Sequence, residues 1–347
     1  MKISEIGELR LVLRIRDATR SGAPGVMVGI GDDCAVLAVS AGAKLLATTD
    51  LLLENVHFRR TYASPADIGW KALAVNLSDI AAMGGTPRFA LVALACPPGT
   101  TVEEIDAFYD GARRASAPHG VAIVGGDTSS SPDGWLVNIT LLGELSGTPR
   151  LRSAARVGDV IAVTGALGES AAGLAILEAT EGTRSVPLLD RLDPRILDRV
   201  RRAHLHPVAR VIEGRWLAAL PATHAMIDLS DGMATDLGHI ARESTVGARV
   251  HVDRLPISDA VKSVAGALGR DPVQLAVAGG EDYELLVTAD PAAIHELSAG
   301  LPSATGTRLT VVGEIVTASE GVRFLDARGE SIPLGPGFEH FAPLRSA

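Results

Sequence analysis

The stretch Ala225-Met226-Ile227-Asp228-Leu229-Ser230-Asp231-Gly232 constrains this chain more than any other. It reads as a buried strand that ends in a tight acidic turn, followed by a helix over 233–244. Alternate side chains of a strand share a face, so Asp228 and Ser230 point to one side. Asp231 and Gly232 then open the helix, with an acid at its positive end. Two carboxylates and a hydroxyl at the end of an apolar strand build a site of oxygen ligands. One such turn alone is better read as a helix cap. That reading loses ground because the pattern recurs: Gly31-Asp32-Asp33, Thr48-Thr49-Asp50, Asn76-Leu77-Ser78-Asp79 and Gly125-Gly126-Asp127 all place an aspartate at or near an apolar segment.

A chain of 347 residues exceeds one typical core, so two domains are expected. Gly, Pro and Arg cluster over 147–158 and put the boundary there, giving domains over 1–147 and 148–347. Hydrophobic content of 47% with 37 glycines and 3% aromatics implies tight turns and cores of Ala, Val, Leu and Ile. Charged residues, Gly or Pro interrupt every apolar run before membrane-spanning length. No signal peptide is visible ahead of the charged first helix, so a cytoplasmic location is expected. Cys34 and Cys96 both lie in apolar surroundings and read as reduced core residues. A net charge of −9 without a basic stripe excludes a nucleic-acid partner as the expectation. If the ligands are phosphates, such a chain would repel them. Divalent cations resolve the conflict, since Mg²⁺ is held by carboxylates together with substrate phosphate oxygens.

Along the chain, residues 5–18 read as an amphipathic helix with Ile6, Leu9, Val12 and Leu13 on one face. Gly29-Ile30-Gly31-Asp32-Asp33 is a glycine turn entering a strand over 34–39. Residues 44–50 form the next strand, with Thr48 and Asp50 on one face. His57 follows in a loop, where a structural role is the commoner one for a lone histidine. Ser64-Pro65-Ala66-Asp67 opens a helix by a capping box and a proline at its first position. That helix runs to about residue 83 and is nearly all apolar, so it lies buried. Asp79 within it needs a cation, an arginine or an exposed helix end, because an unpaired buried charge costs several kcal/mol. Strands over 88–95, 121–124 and 135–145 and a helix over 101–117, opened by a second capping box at Thr101 and Glu104, complete a mixed sheet, with Gly125-Gly126-Asp127 at a strand end. Beyond the boundary, strands are expected at 159–164, 225–229, 249–252, 283–288 and 311–316, helices at 171–178, 233–244 and 259–268, and a helical insert near 190–220. Gly165-Ala166-Leu167-Gly168-Glu169-Ser170 matches neither a P-loop nor G-x-G-x-x-G.

Taken in order, Gly-Ile-Gly-Asp-Asp-Cys (29–34), Thr-Thr-Asp (48–50), Ala-Val-Asn-Leu-Ser-Asp-Ile-Ala-Ala-Met-Gly (74–84), Gly-Gly-Asp-Thr (125–128), Ile-Asp-Leu-Ser-Asp-Gly (227–232) and Gly-Gly-Glu-Asp-Tyr-Glu-Leu (279–285) resemble the thiamine-monophosphate kinases. The resemblance covers nearly the whole chain, to the Phe-Glu-His-Phe tail. It implies an α/β, two-domain synthetase-like fold, with an N-terminal domain that binds ATP and Mg²⁺ and forms a homodimer. The implied reaction is transfer of the γ-phosphoryl of ATP to thiamine monophosphate, giving thiamine diphosphate and ADP, with several Mg²⁺ ions. The implied metal ligands are Asp33, Thr48, Thr49, Asp50, Asp79, Asp127, Asp228 and Asp231. The implied ATP contacts are Asp33, Tyr109, Gly126, Asp127, Arg152 and Ser230. The thiamine side would be read by His57, Glu281 and Phe338. The residues also allow plainer roles: Arg150, Arg152 and Arg156 as a solvated linker cluster, Glu281 as a turn acid, Phe338 as a core residue. The alternative within the wider superfamily is an ATP-dependent synthetase or dehydratase acting on an amide or carbonyl oxygen.

The implied chemistry needs no side-chain base. A phosphomonoester has a second pKa of about 6 and is already ionised near neutral pH. Catalysis then rests on holding two anions in line, with Asp50, Asp127 and Asp231 acting through metal.

Overall fold

The computed structural model describes residues 1–20, 22–30, 34–182 and 186–334. The chain forms two compact units, one from Met1–Pro149 with Leu205–Val211, the other from Arg150–His204 with the chain from Ile212 onward. Both are α/β, mixed sheets covered by helices, as the sequence implies.

The first unit contains α1 (Ile3–Ile6), α2 (Glu8–Thr19), β1 (Val26–Val28), β2 (Val36–Leu37), β3 (Lys44–Leu53), α3 (Pro65–Ala82), β4 (Thr86–Cys96), α4 (Val102–Ser116), β5 (Ala122–Ser130) and β6 (Leu136–Leu145). Its main sheet runs β3-β6-β4-β5, antiparallel on both sides of β6 and parallel between β4 and β5. A parallel pair needs a crossover, and α4 supplies it. Both long helices start on the expected boxes. Ser64 and Asp67 exchange side-chain and backbone bonds at the head of α3, and Thr101 and Glu104 do the same for α4. The two helices meet almost backbone to backbone. A Cβ on Gly69 would lie 1.9 Å from the Phe108 carbonyl oxygen, and one on Gly111 would lie 1.9 Å from that of Ala66. Ile68, Leu73, Leu77 and Ile80 of α3 and Ile105 and Phe108 of α4 are fully buried with Phe89, Leu94, Ile139 and Leu141 of the sheet. Burying each such side chain stabilises by about 1.5–3 kcal/mol.

Three expectations for this unit are corrected. The N-terminal helix breaks at Gly7, whose φ is +78°. The break separates Ile6 from the stripe, and within the helix that restarts Leu11, Ile15 and Thr19, four residues apart, face the protein. Leu9 and Leu13 are 72% and 38% exposed. Cys34 is exposed, not core, because the strand expected over 34–39 shrinks to Val36–Leu37; Cys96 is buried as expected. Gly125-Gly126-Asp127 lies inside β5, beside a register shift opposite Ala90/Leu91, and not at a strand end.

The second unit contains β7 (Val160–Thr164), α5 (Glu169–Thr180), α6 (Pro194–Leu205), α7 (Val211–Ala219), β8 (Thr223–Asp228), α8 (Met233–Ser244), β9 (Val246–His251), α9 (Asp259–Leu268), α10 (Pro272–Ala278), β10 (Leu285–Ala289), α11 (Ile294–Thr305), β11 (Leu309–Thr317) and β12 (Val322–Leu325). Its sheet runs β12-β9-β11-β7-β10-β8, antiparallel except between β12 and β9. Ile161, Val163, Ile227, Leu286 and Ile315 of the sheet pack with Met233, Leu237 and Ile240 of α8. Ala172 and Ile176 of α5, Val200 of α6 and Val261 and Val264 of α9 build a second core. β8 is an edge strand, which leaves its C-terminal end open to the acidic turn that follows. Among the described residues no helix is long and apolar enough to cross a membrane.

The α3–α4 contact tolerates no side chain at its crossing. Gly111→Ala forces a methyl against backbone and should destabilise the protein by about 1–3 kcal/mol, read as a lowered midpoint in urea with an unchanged slope.

Candidate functional site

In the first unit the strand alternation of β3 sorts its polar residues. Thr48 and Asp50 are half-buried, while Leu45, Thr49 and Leu51 are exposed on the opposite face. The Thr48 hydroxyl donates to the Asp79 carboxylate of α3. Asp79 is thus only half-buried and has an oxygen partner, which answers the demand its apolar helix creates. Thr49 belongs to another group: its hydroxyl donates to the Ile139 carbonyl at 3.2 Å and accepts from Asn138 Nδ2 at 2.9 Å. One turn before Asp79, Asn76 is fully buried, and its Nδ2 donates to the Ala72 carbonyl at 3.0 Å. Its Oδ1 finds no hydrogen-bond partner among the described residues. A buried orphan acceptor costs about 1–3 kcal/mol, so the surroundings of Asn76 favour a donor or cation.

Asp50, Ile139, Val92 and Gly126 stand in one row across the sheet. Asp127 lies in the next row, opposite Ala93 and Asn138, and is exposed, with Oδ1 accepting the Thr128 N–H at 2.9 Å. Strands lie about 4.8 Å apart, so three steps separate the Asp50 and Asp127 edges by about 14 Å along the sheet. Gly126 is required by close approach: a Cβ there would lie 1.8 Å from the Val92 carbonyl oxygen. His57 sits in the turn after β3. Its Nδ1 accepts the Leu53 N–H at 3.0 Å, which leaves Nε2 as the donor of the neutral ring. Tyr109 is 4% exposed, edge-on to Phe108 with centroids 5.2 Å apart, and burial pushes its phenol far up. Any contact it makes with a nucleotide is limited to that small edge. Asp33 and Phe338 lie outside the described residues.

In the second unit the turn after β8 gathers charge. Asp228 is 3% exposed, and Ser230 and Asp231 are half-buried. The Asp231 N–H donates to Asp236 Oδ2 at 3.2 Å. Carboxylate oxygens of Asp231 and Asp236 and a ring nitrogen of His239 lie within 4.8 Å of one another. Asp236, 2% exposed, is pushed up to about 8, first by burial and then by the Asp228 and Asp231 carboxylates; Arg152 pulls it back in part. The His239 imidazole is held down by burial and then by Arg242 and Arg152. Sequence reasoning missed Asp236 and His239. The signal was there: Met233, Asp236, Leu237 and Ile240 share the buried stripe of α8, and an acid on such a stripe needs a reason. The three linker arginines also separate. Arg150 donates to the Ala218 and Leu220 carbonyls at 2.6 and 3.1 Å, and Arg156 lies 3.1 Å from His224 Nε2. Arg152 is exposed and acts on the acidic cluster.

The Gly279–Glu284 turn closes on the same strand end. Glu281 N–H donates to the Ser230 carbonyl at 2.7 Å and Tyr283 N–H to that of Leu229 at 2.9 Å. Glu281 and Tyr283 both have positive φ, +58° and +49°, which costs about 1–3 kcal/mol each and persists only where the surroundings over-determine the turn. The surroundings do so here. Asp282 accepts the Gly168 N–H at 2.7 Å and the Ser170 N–H at 3.3 Å at the head of α5, and Glu284 accepts the Thr164 hydroxyl at 2.6 Å. The Glu281 carboxylate meets His204 at 3.2 Å.

Family models match the chain in two blocks: the AIR synthase related protein, N-terminal domain, over residues 31–145, and the C-terminal domain over residues 156–326. The fold is therefore that of an AIR synthase related protein. The thiamine-monophosphate kinase of Escherichia coli strain K12 is 37% identical over 343 residues, 97% of this chain and 98% of that one. The crystal structure of thiamine-monophosphate kinase from Stenotrophomonas maltophilia K279a matches with a TM-score of 0.80 at 37% identity, covering 94% of this chain and 98% of that chain. AaThiL complexed with AMPPCP and TMP matches with a TM-score of 0.75 at 31% identity, covering 98% and 99%. The chain belongs to the thiamine-monophosphate kinase family.

The folded protein keeps the Asp236 proton up to about pH 8, whereas the unfolded chain releases it near 3.8. Stability from this group is full below the lower value and is lost as pH rises through the upper one. In buffer freed of divalent ions, urea unfolding should show stability falling across that window. Asp236→Asn, which cannot ionise, should flatten the fall.

Proposed function

We propose that this protein transfers the γ-phosphoryl of ATP directly to the phosphate of thiamine monophosphate, giving thiamine diphosphate and ADP, the last step in making thiamine diphosphate. Membership of the kinase family supports the reaction, and AaThiL complexed with AMPPCP and TMP supports the substrate pair. The observation that carries the site reading is the concentration of oxygen donors: Thr48, Asp50 and Asp79 in one unit, Asp228, Asp231 and Asp236 in the other. Such sites suit anionic substrates only with cations in between.

Mg²⁺ fits this donor set, which is oxygen in kind and carries a buried Asn76 Oδ1 without a partner. Asp33, Thr48, Asp50, Asp79, Asp127, Asp228 and Asp231 would hold the ions. Thr49, facing the other side of β3, would join through its main chain. When bound, Mg²⁺ neutralises phosphate charge and stabilises the charge that spreads over the equatorial oxygens.

The chain's own groups do the rest. Gly126, without a side chain, lets backbone approach a phosphate, and Arg152 and Ser230 would orient the ATP phosphates. Tyr109 would contribute at most the edge of its ring. His57 would offer Nε2–H, and Glu281 would face the cationic or amino-bearing rings of the acceptor, with Phe338 stacking on them. An oxygen of the acceptor phosphate forms the new P–O bond, the bond to the β–γ bridging oxygen breaks, and ADP leaves. That oxygen is ionised near neutral pH, so no side chain removes a proton.

The protein would act in the cytoplasm as a homodimer. The exposed face of β3 supports the dimer, since Leu45 and Leu51 are 56% and 46% exposed on it. The separation of the Asp50 and Asp127 edges supports it too, because a second copy can bring edge to edge. Leu45→Glu with Leu51→Glu should shift the protein toward monomer in analytical ultracentrifugation.

ADP release with Mg²⁺·ATP should depend on thiamine monophosphate, with thiamine diphosphate identified by mass. Asp231→Asn should lower kcat/KM by about 100-fold or more, and chelation of divalent ions should abolish turnover. Binding of ATP without acceptor-dependent turnover would sink the kinase reading and favour the synthetase or dehydratase chemistry.

A further inference from the structure

The helical insert between β7 and β8 has no role in the reading above, yet one of its side chains is built into the second unit with unusual care. His204, in the last turn of α6, is 2% exposed. Its Nδ1 lies 3.2 Å from Glu281 Oε2 and 3.1 Å from Ser170 Oγ. Ser170, at the head of α5, is 1% exposed. Nδ1 thus faces both oxygens; a carboxylate only accepts, so in the form of the ring with a proton on Nδ1 that proton is available to Glu281. The closeness of the two helices makes this contact. A Cβ on Gly173 would lie 2.0 Å from the Val200 carbonyl oxygen and 3.1 Å from the His204 Cβ, so α5 and α6 touch at a residue without a side chain. The imidazole is thereby wedged under Glu281. Glu281 is held at its other end by the N–H it donates to Ser230, in a backbone conformation with φ +58°. Its side chain remains 25% exposed, open to a ligand on the outer side.

We propose that His204 is a positioning residue for acceptor recognition: from beneath, it fixes the rotamer of the Glu281 carboxylate that reads the thiamine rings. This rests on the assignment of Glu281 to the acceptor. The insert then has a function, since α6 delivers a buried imidazole to the carboxylate of a substrate-reading acid. A fixed carboxylate loses less freedom when a ligand arrives, and the gain falls on the acceptor and not on ATP.

The test is calorimetric titration of the full-length protein with thiamine monophosphate and, separately, with Mg²⁺·AMPPCP. Wild type must bind both; binding of AMPPCP without thiamine monophosphate would overturn the acceptor assignment and with it the role built on it, whereas the variants test His204 itself. With both bound, His204→Ala should weaken thiamine monophosphate about tenfold and leave AMPPCP within about twofold. Glu281→Gln should weaken the same ligand, and the double variant should be no weaker than Glu281→Gln alone, because the two side chains act as one unit. His204→Asn, whose amide nitrogen can stand where Nδ1 stood, should recover most of the affinity and serves if His204→Ala does not fold. An equal loss for both ligands, additive effects in the double variant, or failure of His204→Asn to bind better than His204→Ala in a folded protein would each overturn the proposal.

Discussion

Like charges crowded at a buried strand end are the constraint on which the rest depends. Asp228 closes β8 and Asp231 follows in its turn, while Asp236 reaches back from α8 to hold the Asp231 N–H. Low-dielectric surroundings make that crowding costly, and the cost appears as a proton that Asp236 keeps up to about pH 8. A structure that carries this strain is one waiting for positive charge. Arg152 supplies some of it, and divalent cations bringing phosphates would supply the remainder. The architecture around the turn serves to keep it rigid: an edge strand leaves it open, α8 packs on the sheet beneath it, and the Gly279–Glu284 turn ties down its far side.

Rigidity of this kind comes from backbones brought unusually close. Gly69 and Gly111 let α3 meet α4, Gly173 lets α5 meet α6, and Gly126 lets β5 press on β4. In each case one member of the pair carries a residue of the proposed site or its proposed support: Asp79 on α3, His204 on α6, Asp127 on β5. Packing at backbone distance leaves little freedom, and freedom is what a site for two anions held in line can least tolerate.

The short acidic motifs turn out to divide their labour. In Gly-Gly-Glu-Asp-Tyr-Glu, Asp282 caps a helix, Glu284 bonds Thr164, and Glu281 keeps a partly exposed carboxylate beside His204. In Thr-Thr-Asp, Thr48 pairs with Asp79 while Thr49 bonds across the other face of the sheet. Motif membership marks a segment as functional, but the strand period and the turn's φ values decide which member faces the ligand.

What the sequence by itself determined is local and periodic. The capping boxes at Ser64 and Thr101, the buried helix α3, the strand-turn-helix of 225–244 and the six ordered motifs were legible because each depends on residues within a few positions of one another. They sufficed for the α/β class and the family. What only the tertiary structure decided is non-local. α2 buries Leu11, Ile15 and Thr19 and not Leu9 and Leu13 because packing against the rest of its unit chooses the face, and Cys34 surfaced because its strand found only a two-residue pairing. His204 escaped notice because its meaning lies in Glu281, almost eighty residues away, and Asp236 and His239 because the folded turn brings them together with Asp231. A side chain's neighbours across a fold are set by packing, and no spacing along the chain encodes which buried histidine will lie beneath which carboxylate.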